Sequence, residues 1–442
     1  MASTYLSRNI SAGSTGKKFT LSAWIKFTSL STNSELWSIS NDNTVHNYID
    51  ICFKSGVLDM QFKLANGGTF MRRKTTRLFR DVNAWYHIVL RFDSTNSTAS
   101  DRFRLYVNGV QETSFDNDGT ASTFSSDYVT ALSTSGANQF IGRTVGYSSY
   151  WDGSMSHFHL CDGYSYAPTV FGSTDSTTGE WKINTSPSFT LGGNGYTVLK
   201  DGNTITDQSS NSNDFTLGGG TLTKTEDNPS NVFATLNPLD NYYANATFSN
   251  GNTKITTGTS REASVTATIP MFKGKYYWEA KTLSSSAPFL GIQPIPSFGN
   301  TASPAPLQLN GYGLLSTGKV ETTNGSGGSI VLATYATYTA GDIIGIAVDL
   351  DSAQNKIYFY KNGTLLGASG VNITSVGSTS QGMYLAAFGV IAGQDTIEVN
   401  FGNGYFGTTA VSSAGTNASG IGIFEYDVPT GYTALSTKGL NL

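Results

Sequence analysis

The stretch "GDIIGIAVDLDSAQNKIYFYKNGTLLG", residues 341–367, decides the fold class of this chain. Across residues 344–350, apolar side chains occupy every second position, which is the period of a β-strand with one buried face. A second alternating run follows at residues 356–361, and the dipeptide Asn362-Gly363 then supplies the two positive-φ residues of a type I′ turn. The stretch therefore predicts antiparallel strands joined by tight turns.

The first half of the chain repeats this pattern. In "KKFTLSAWIKFTSL", residues 17–30, Trp24 lies on one face of a predicted strand, and the opposite face carries Phe19, Leu21, Ala23 and Ile25. Farther along, "DRFRLYVNGVQE", residues 101–112, contains Asn108-Gly109 and predicts another two-residue hairpin. Such alternation recurs from end to end and helical periodicity is almost absent, so the sequence predicts an all-β protein.

Composition narrows the function classes. Only 13% of the residues are charged and the formal net charge is −4, so we expect no general attraction to nucleic acid. No run of about 18 apolar residues occurs, and the first residues lack the apolar segment of a signal peptide. We therefore expect neither membrane insertion nor secretion by that route.

The chain is predicted to have two domains. Residues 183–228 are polar, glycine-rich and full of turn-forming residues, which is typical of a connector. This places a first domain at residues 1–182 and a second at residues 229–442. Apolar residues within the connector, Phe215 among them, could dock it onto either neighbour.

Three segments of the first domain carry a family resemblance. They are "FTLSAWIKF" (residues 19–27), "AWYHIVLRFDSTNSTASDRFRLYVNGVQ" (84–111) and "QFIGRTVGYSSYWDGSMSHFHLCDGYSYAPTVFG" (139–172). In order and spacing they resemble the laminin G-like, concanavalin A-like jelly roll. The resemblance implies an antiparallel β-sandwich across residues 1–182.

The second domain resembles a SPRY-type β-sandwich. The matching segments are "KGKYYWEAKTL" (residues 273–283), the opening stretch (341–367), "MYLAAFGV" (383–390) and "EVNFGNGYF" (398–406). They appear in the order of that family's strands. Together the two resemblances imply two tandem antiparallel β-sandwiches.

Two short segments resemble tailed-phage virion proteins that join such modules. They are "NVFATLNPLDNY", residues 231–242, and "GYTALSTKGLNL", residues 431–442. The resemblance implies a virion structural protein at the particle surface, most naturally a tail fibre or receptor-binding appendage that engages host-surface polysaccharide. It also implies contacts with other virion proteins and a homo-oligomer, for which a trimer is one candidate. The alternatives are a capsid decoration, cement or head-fibre protein, a polysaccharide depolymerase, and a peptide-binding adaptor.

The glycan-binding candidates lie in "GYSSYWDGS", residues 146–154. Sugars stack their C–H faces on aromatic rings and form hydrogen bonds with carboxylates, so this composition suits a glycan. The candidates are Tyr147, Tyr150, Trp151 and Asp152. In the laminin G-like pattern the aromatic residue before Asp-Gly belongs to the core, so we assign Trp151 there and expect the two tyrosines to be the freer ones.

A second candidate surface lies in "MRRKTTRLFRD", residues 71–81, where cations gather in a chain otherwise poor in charge. Guanidinium and ammonium groups could bind phosphate, an acidic sugar or an acidic subunit. The candidates are Arg72, Arg73, Lys74 and Arg77. The alternative is a solvated edge strand that its cations keep from aggregating.

Asp349 and Asp351 are the strongest candidates for catalysis. Two positions apart on a strand, their side chains would lie about 6.5–7 Å apart, which suits an inverting glycosidase. However, Asp351 opens a turn-forming cluster, so we predict that both carboxylates close the hairpin and face solvent. Glycoside hydrolases of similar fold use a Glu-x-Asp-x-(x)-Glu strand, and no such pattern occurs. We therefore expect no catalytic residues and no enzymatic activity.

Side chains of metal-binding type are few. Cys52 and Cys161 are too few for a disulfide framework, so we expect buried thiols, and a bond between the two stays an open alternative. His157 and His159 share a strand face in "HFH", but no third ligand is evident, and we expect a solvated strand face. We predict no cofactor and no metal ligand set, and a structural calcium ion has no clear motif to support it.

Overall fold

The fold is that of a computed structural model, which describes residues 3–11, 14–30, 33–41, 48–63, 70–117, 120, 122–146, 149–200, 205–241, 246–258, 263–284, 288–295, 310–323, 328–390 and 393–441. The chain divides into two compact units, Met1–Lys224 and Thr225–Leu442. Within the described residues the helical elements are one-turn 3-10 helices, at Ala99–Asp101, Ala131–Ser133, Pro168–Val170, Val376–Ser378 and Gly439–Asn441. The prediction of an all-β protein is confirmed.

The first unit contains two large antiparallel sheets. Its eight-stranded sheet has the order β10-β6-β5-β4-β3-β11-β1-β16, and its six-stranded sheet has the order β15-β12-β2-β7-β8-β9. Strands β13 and β14 form a separate hairpin. The strands are β1 Tyr5–Asn9, β2 Lys18–Phe27, β3 Asn33–Ser40, β4 Tyr48–Lys54, β5 Val57–Lys63, β6 Phe70–Thr75, β7 Tyr86–Asp93, β8 Phe103–Val107, β9 Val110–Glu112, β10 Phe115–Asp116, β11 Asn138–Ile141, β12 Gly153–Asp162, β13 Gly172–Thr174, β14 Trp181–Ile183, β15 Tyr196–Val198 and β16 Thr216–Gly218.

The core of the first unit lies between these two sheets. Phe19 of β2 lies 6.1 Å from Trp37 of β3, ring centroid to ring centroid, and Phe62 of β5 lies 5.9 Å from Phe92 of β7. Burying each such ring stabilises the fold by about 2–3 kcal/mol, so contacts between the sheets supply much of the driving force. Trp24 faces away from this core, as the alternation in β2 predicts.

Residues 183–224, most of the segment predicted as a connector, are part of the first unit. Strand β15 pairs with β12, and β16 pairs with β1. The side chains of Tyr196 and Phe215 are buried in the core, with ring centroids 4.8 Å apart. The hydroxyl of Tyr196 accepts a hydrogen bond from the indole of Trp37 at 3.1 Å. Apolar residues spaced between polar turns therefore bind this segment to the sheets.

The second unit is also built from two antiparallel sheets. One has the order β17-β20-β29-β22-β23-β24-β25, and the other has the order β18-β19-β30-β21-β26-β27-β28 with β33 paired to β21 in parallel. Strands β31 and β32 form a short hairpin. The strands are β17 Leu236–Asn241, β18 Ala246–Ser249, β19 Lys254–Thr257, β20 Ala263–Ala267, β21 Lys275–Thr282, β22 Pro288–Gln293, β23 Tyr312–Leu315, β24 Lys319–Thr323, β25 Ser329–Thr334, β26 Ile343–Asp349, β27 Lys356–Lys361, β28 Thr364–Asn372, β29 Leu385–Val390, β30 Thr396–Asn400, β31 Tyr405–Phe406, β32 Thr409–Ala410 and β33 Thr433–Ala434.

Both predicted two-residue hairpins are present. Asn108 and Gly109 have φ values of 48° and 77°, and Val107 pairs with Val110 across the turn. Asn362 and Gly363 have φ values of 46° and 79° between β27 and β28. Positive φ at both central residues is the signature of a type I′ turn, whose twist matches that of the flanking strands.

Among the described residues, no helix has the length and apolar character needed to cross a membrane.

Candidate functional site

The eight-stranded sheet of the first unit has a polar side that points away from the core. Successive side chains of a strand face opposite sides, so Ile49, Ile51 and Phe53 of β4 enter the core while Asp50 and Cys52 face outward. The strand registers place further polar residues beside these two. We call this surface the outer polar face, and its residues are Tyr5, Glu35, Ser38, Asp50, Cys52, Asp59, Gln61, Arg72 and Phe140.

The chain after β11 packs against the outer polar face. The Ser38 hydroxyl donates to the carbonyl of Arg143 at 2.8 Å, and the Thr144 hydroxyl donates to Oδ1 of Asp50 at 2.8 Å. Farther along, the amide of Glu35 donates to the carbonyl of Tyr150 at 3.4 Å. These bonds explain why several residues of an outward-facing surface are buried.

Of the four predicted glycan-binding residues, three fall within the described part of the chain, and Tyr147 lies outside it. Tyr150 is partly exposed, and its ring lies 6.0 Å from that of Tyr5. Trp151 packs against the core, with its ring 5.3 Å from that of Phe27. Asp152 accepts a hydrogen bond from the Ser29 hydroxyl at 3.0 Å. The structure therefore separates Tyr150, at the surface, from Trp151.

Tyr150 belongs to a group of aromatic and cationic side chains that we call the Tyr5 cluster, formed by Tyr5, Phe140, Arg143 and Tyr150. The Arg143 guanidinium carbon lies 4.8 Å from the Tyr5 ring centroid and 5.0 Å from that of Phe140. Tyr5, Arg143 and Tyr150 are all partly exposed. The Nε of Arg143 is buried and has no hydrogen-bond acceptor among the described residues. The cluster therefore combines flat apolar rings with a partly exposed guanidinium group.

Sequence reasoning missed Tyr5 and Arg143 as site residues. Tyr5 reaches the site because β1 pairs with β11, with Leu6 opposite Ile141. That register joins segments far apart in the chain, and no local pattern specifies it.

Arg72, the first of the four predicted cationic residues, binds a carboxylate of the same unit. Its Nε and Nη2 donate to Oδ1 and Oδ2 of Asp59 at 2.8 and 2.7 Å, a two-point contact that suits the planar guanidinium. Lys54 also contacts Asp59, at 2.9 Å. Burial opposes ionisation of Asp59, but hydrogen bonds from Arg72 and Lys54 hold the pKa of this carboxyl below its usual value.

The other three cations are distributed over both sides of β6 and the chain beyond it. Arg73 points inward and is buried, with its guanidinium 5.9 and 5.6 Å from the rings of Phe103 and Phe124. Lys74 forms an ion pair with Asp116 at 3.3 Å, and Arg77 forms one with Glu112 at 2.7 Å. These two cations face outward. Strand alternation thus turns Arg73 away from Arg72 and Lys74, so the four cations do not share one surface.

Glu35 and Asp50 have the opposite electrostatic environment to Asp59. Burial, the negative charge of Asp50 and a hydrogen bond to it raise the pKa of Glu35 well above its usual value. Burial also raises the pKa of Asp50, although a hydrogen bond from Thr144 opposes this. The two carboxyl groups share a hydrogen bond, so they favour a state in which one proton lies between them.

Asp349 and Asp351 close the β26–β27 hairpin. Oδ1 of Asp349 accepts hydrogen bonds from the amides of Asp351 and Ser352 at 3.0 Å each. Oδ2 of Asp349 forms an ion pair with Lys275 at 2.9 Å. Asp351 accepts the amide of Gly274 at 2.8 Å. The expectation that both face solvent was wrong for Asp349, which is 4% exposed because the turn folds its own amides over the carboxylate.

The expectation of solvated histidines at the "HFH" motif was also wrong. The register of β12 against β2 shifts between Ser156 and His159, and His157 adopts a positive φ of 48°. Both imidazoles are buried, and Nδ1 of His159 is bonded to the Thr197 hydroxyl at 2.9 Å. Burial holds the pKa of His159 well below its usual value, so this imidazole is neutral. The cysteines are both buried and free.

Comparisons with known proteins agree with this architecture. Residues 2–170 match the family model described as "Concanavalin A-like lectin/glucanases superfamily". The matched residues lie within the first unit, which is therefore similar to laminin G-like, concanavalin A-like domains. The fold prediction, two tandem antiparallel sandwiches, is confirmed by the two pairs of antiparallel sheets.

Three solved structures are similar to parts or most of this chain. The SPRY domain of human HERC1 is 15% identical with a TM-score of 0.28, covering 37% of this chain and 96% of its own. A heptameric SAP-like pentraxin from Limulus polyphemus is 16% identical with a TM-score of 0.27, covering 37% and 71%. Domains LG4-5 of the mouse laminin alpha1 chain are 11% identical with a TM-score of 0.28, covering 93% and 89%. A search of curated proteins gave no match.

Proposed function

We propose that this chain is a non-enzymatic structural protein of a tailed-phage virion, a tail fibre or another receptor-binding appendage, that engages host-surface polysaccharide. The observation that carries the glycan part is the Tyr5 cluster, which lies at the solvent boundary of a concanavalin A-like lectin domain. Its partners are the polysaccharide and other virion proteins, and its place is the virion surface.

The chemistry of the Tyr5 cluster suits a sugar. The rings of Tyr5 and Tyr150 offer apolar surfaces for the C–H face of a pyranose, and the Arg143 guanidinium offers donors for its hydroxyls. One such contact is weak, but copies held in a homo-oligomer, for example a trimer, multiply it through effective concentration. Avidity of this kind fits attachment to a repetitive polysaccharide.

The virion part of the proposal is supported by the two phage-like segments. In the second unit, the amide of Ala234 donates to the carbonyl of Leu435 at 2.9 Å, and the amide of Thr437 donates to that of Val232 at 2.9 Å. Residues 232–234 and 435–437 thus lie side by side as one structural element. Two resemblances that meet in one element support a shared module better than two separate matches would.

A polysaccharide hydrolase is the second candidate, because Glu35 and Asp50 face the same side of adjacent strands. Their ligand atoms lie within 4.8 Å of each other, near the separation of about 5–5.5 Å in retaining glycosidases. However, the two side chains are only 2% and 9% exposed and are hydrogen-bonded to each other. A glycosidic bond would have to enter between them, so we favour binding without cleavage.

A glycan array tests the binding proposal. We expect Tyr150→Ala and Arg143→Ala to bind about tenfold more weakly, since each loses a contact of about 1.4 kcal/mol. The matched control is Tyr164→Ala, which removes an exposed tyrosine of the same unit that is outside the Tyr5 cluster. Binding that is unchanged in both cluster variants would contradict the assignment of the site.

Two further measurements separate the alternatives. Antibody labelling of virions should place this chain on the tail, and label on the head would favour a capsid decoration, cement or head-fibre protein. An assay for new reducing ends, with Glu35→Gln as the control, tests hydrolysis. Release of reducing ends that Glu35→Gln abolishes would replace the binding proposal with the hydrolase.

A further inference from the structure

Three side chains with metal-ligating atoms meet on the outer polar face. Cys52 and Asp50 lie two positions apart on β4, so they face the same side, and Glu35 lies directly opposite Cys52 on β3. One ligand atom from each lies within 4.8 Å of the others. The three side chains are 2%, 9% and 1% exposed for Glu35, Asp50 and Cys52.

One oxygen of this group lacks a donor among the described residues. The Oε2 of Glu35 is buried and accepts no hydrogen bond from the described residues. A buried carboxylate oxygen without a donor is unfavourable, because nothing compensates for its lost hydration. This is separate from the clustering itself, and it indicates a position where a positively charged partner would be stabilised.

The local cations make their ion pairs with a different carboxylate. Lys54 is ion-paired with Asp59 at 2.9 Å, and Arg72 makes its two-point contact with the same carboxylate. Glu35, Asp50 and Cys52 together can carry three negative charges in a buried place. Such a set is stable only if protons or a metal ion neutralise it.

The ligand atoms favour one class of metal. A thiolate with two carboxylates suits Zn²⁺, whereas Ca²⁺ and Mg²⁺ prefer oxygen ligands alone. Zinc sites with three protein ligands complete their coordination with water. The Thr144 hydroxyl, which donates to Oδ1 of Asp50 at 2.8 Å, would fix the orientation of this ligand from outside the site.

We propose that Glu35, Asp50 and Cys52 bind one Zn²⁺ ion in the first unit. Binding displaces the proton between the two carboxyl groups and the thiol proton, and both protons go to solvent. The ion links β3 to β4 and, through Asp50 and Thr144, holds the residues that follow β11. This goes beyond the proposed function, because neither a glycan nor a virion is needed for it.

Metal analysis of the purified full chain tests the proposal, with zinc supplied during expression because the site is buried. We expect about one zinc ion per chain after dialysis, and at least a tenfold loss in Cys52→Ser and Glu35→Gln. The matched control is Cys161→Ser, which removes the other buried thiol, on the six-stranded sheet, and should keep the ion. If Cys52→Ser does not fold, the zinc content of Glu35→Gln tests the proposal instead.

Cobalt gives an independent signal. Protein expressed with Co²⁺ should show a thiolate-to-cobalt charge-transfer band, present in Cys161→Ser and absent from Cys52→Ser. Folded protein with no stoichiometric zinc and no such band would overturn the proposal and assign the site to a shared proton. A band that persists in Cys52→Ser would overturn it as well, because the metal would then lie elsewhere.

Discussion

Glu279 should make the stability of the second unit fall as pH rises towards neutrality, and Glu279→Gln should remove this fall. The side chain is fully buried on β21. Its Oε1 accepts hydrogen bonds from the amide of Tyr426 at 2.9 Å and from the Tyr277 hydroxyl at 3.2 Å. Its Oε2 accepts the amide of Glu425 at 2.9 Å and Nδ2 of Asn400 at 3.2 Å. The carboxyl group thereby fastens the chain near residue 425 to the sheet.

The sign of the effect follows from the pKa of Glu279 in the two states. Burial raises it from 4.5 to about 7, although all four hydrogen bonds favour the charged form. Below 4.5 both folded and unfolded chains hold the proton, and the contribution to stability is complete. Between 4.5 and 7 the unfolded chain releases the proton while the folded chain keeps it, so stability falls as pH rises. Above 7 both are charged and the loss is complete.

The magnitude follows from the same two values. A change from 4.5 to about 7 corresponds to about 3 kcal/mol of unfolding free energy for a group that is fully buried. Glutamine places an amide against donors, so the variant should also lose about 1–3 kcal/mol at every pH. That offset is independent of pH, and the slope alone reports the titration.

The unfolding free energy of the second unit can be measured in urea across this pH range. Hydrogen exchange in peptides from residues 263–284 detects the unfolding of this unit by itself. The difference between the curves of the two proteins isolates Glu279, because other buried carboxyls, such as Asp395, are present in both. We expect the parent protein to lose about 3 kcal/mol of stability relative to Glu279→Gln between pH 4.5 and pH 7. Parallel curves would refute the reasoning and place the pKa of Glu279 near that of the unfolded chain.

Two further predictions concern the first unit. Arg72→Ala should cost about 2–3 kcal/mol in thermal unfolding, because it leaves the fully buried Asp59 with one cation fewer, and adding Asp59→Asn should recover part of the loss. If the stability losses of Arg72→Ala and Asp59→Asn simply added in the double variant, the two residues would not be coupled. Gly109→Ala should cost at least about 1 kcal/mol more than Gly136→Ala. Both glycines have a positive φ, but only at 109 would a Cβ meet the Trp181 ring, at 2.4 Å, and equal losses would contradict the clash.

Features encoded within a few residues could be predicted from the sequence. Asn108-Gly109 and Asn362-Gly363 specify their turns by themselves, since few other dipeptides accept two positive φ values. The strands on either side follow from alternation over a few residues. The fold class and the hairpins depend on such local signals, and they were predicted.

Contacts between distant segments could not be predicted in this way. Alternation assigns Tyr5 to a face of β1, but its neighbour Tyr150 follows from the pairing of β1 with β11. Glu35 and Cys52 likewise meet through the register of β3 against β4. His157 shows a different failure, because a local register shift changes the side to which a side chain points without any glycine or proline to signal it.

The outer polar face shows why a polar strand face cannot be equated with a hydrated one. Its alternation indicates which side faces away from the core, yet Asp59 and Glu35 are buried there because other chain segments and internal ion pairs cover them. In a chain with only 13% charged residues, cations engaged with internal carboxylates have little charge left for a ligand. Arg143 differs from those cations because its guanidinium lies over the rings of Tyr5 and Phe140, so recognition at the Tyr5 cluster would combine stacking and hydrogen bonds with one positive charge.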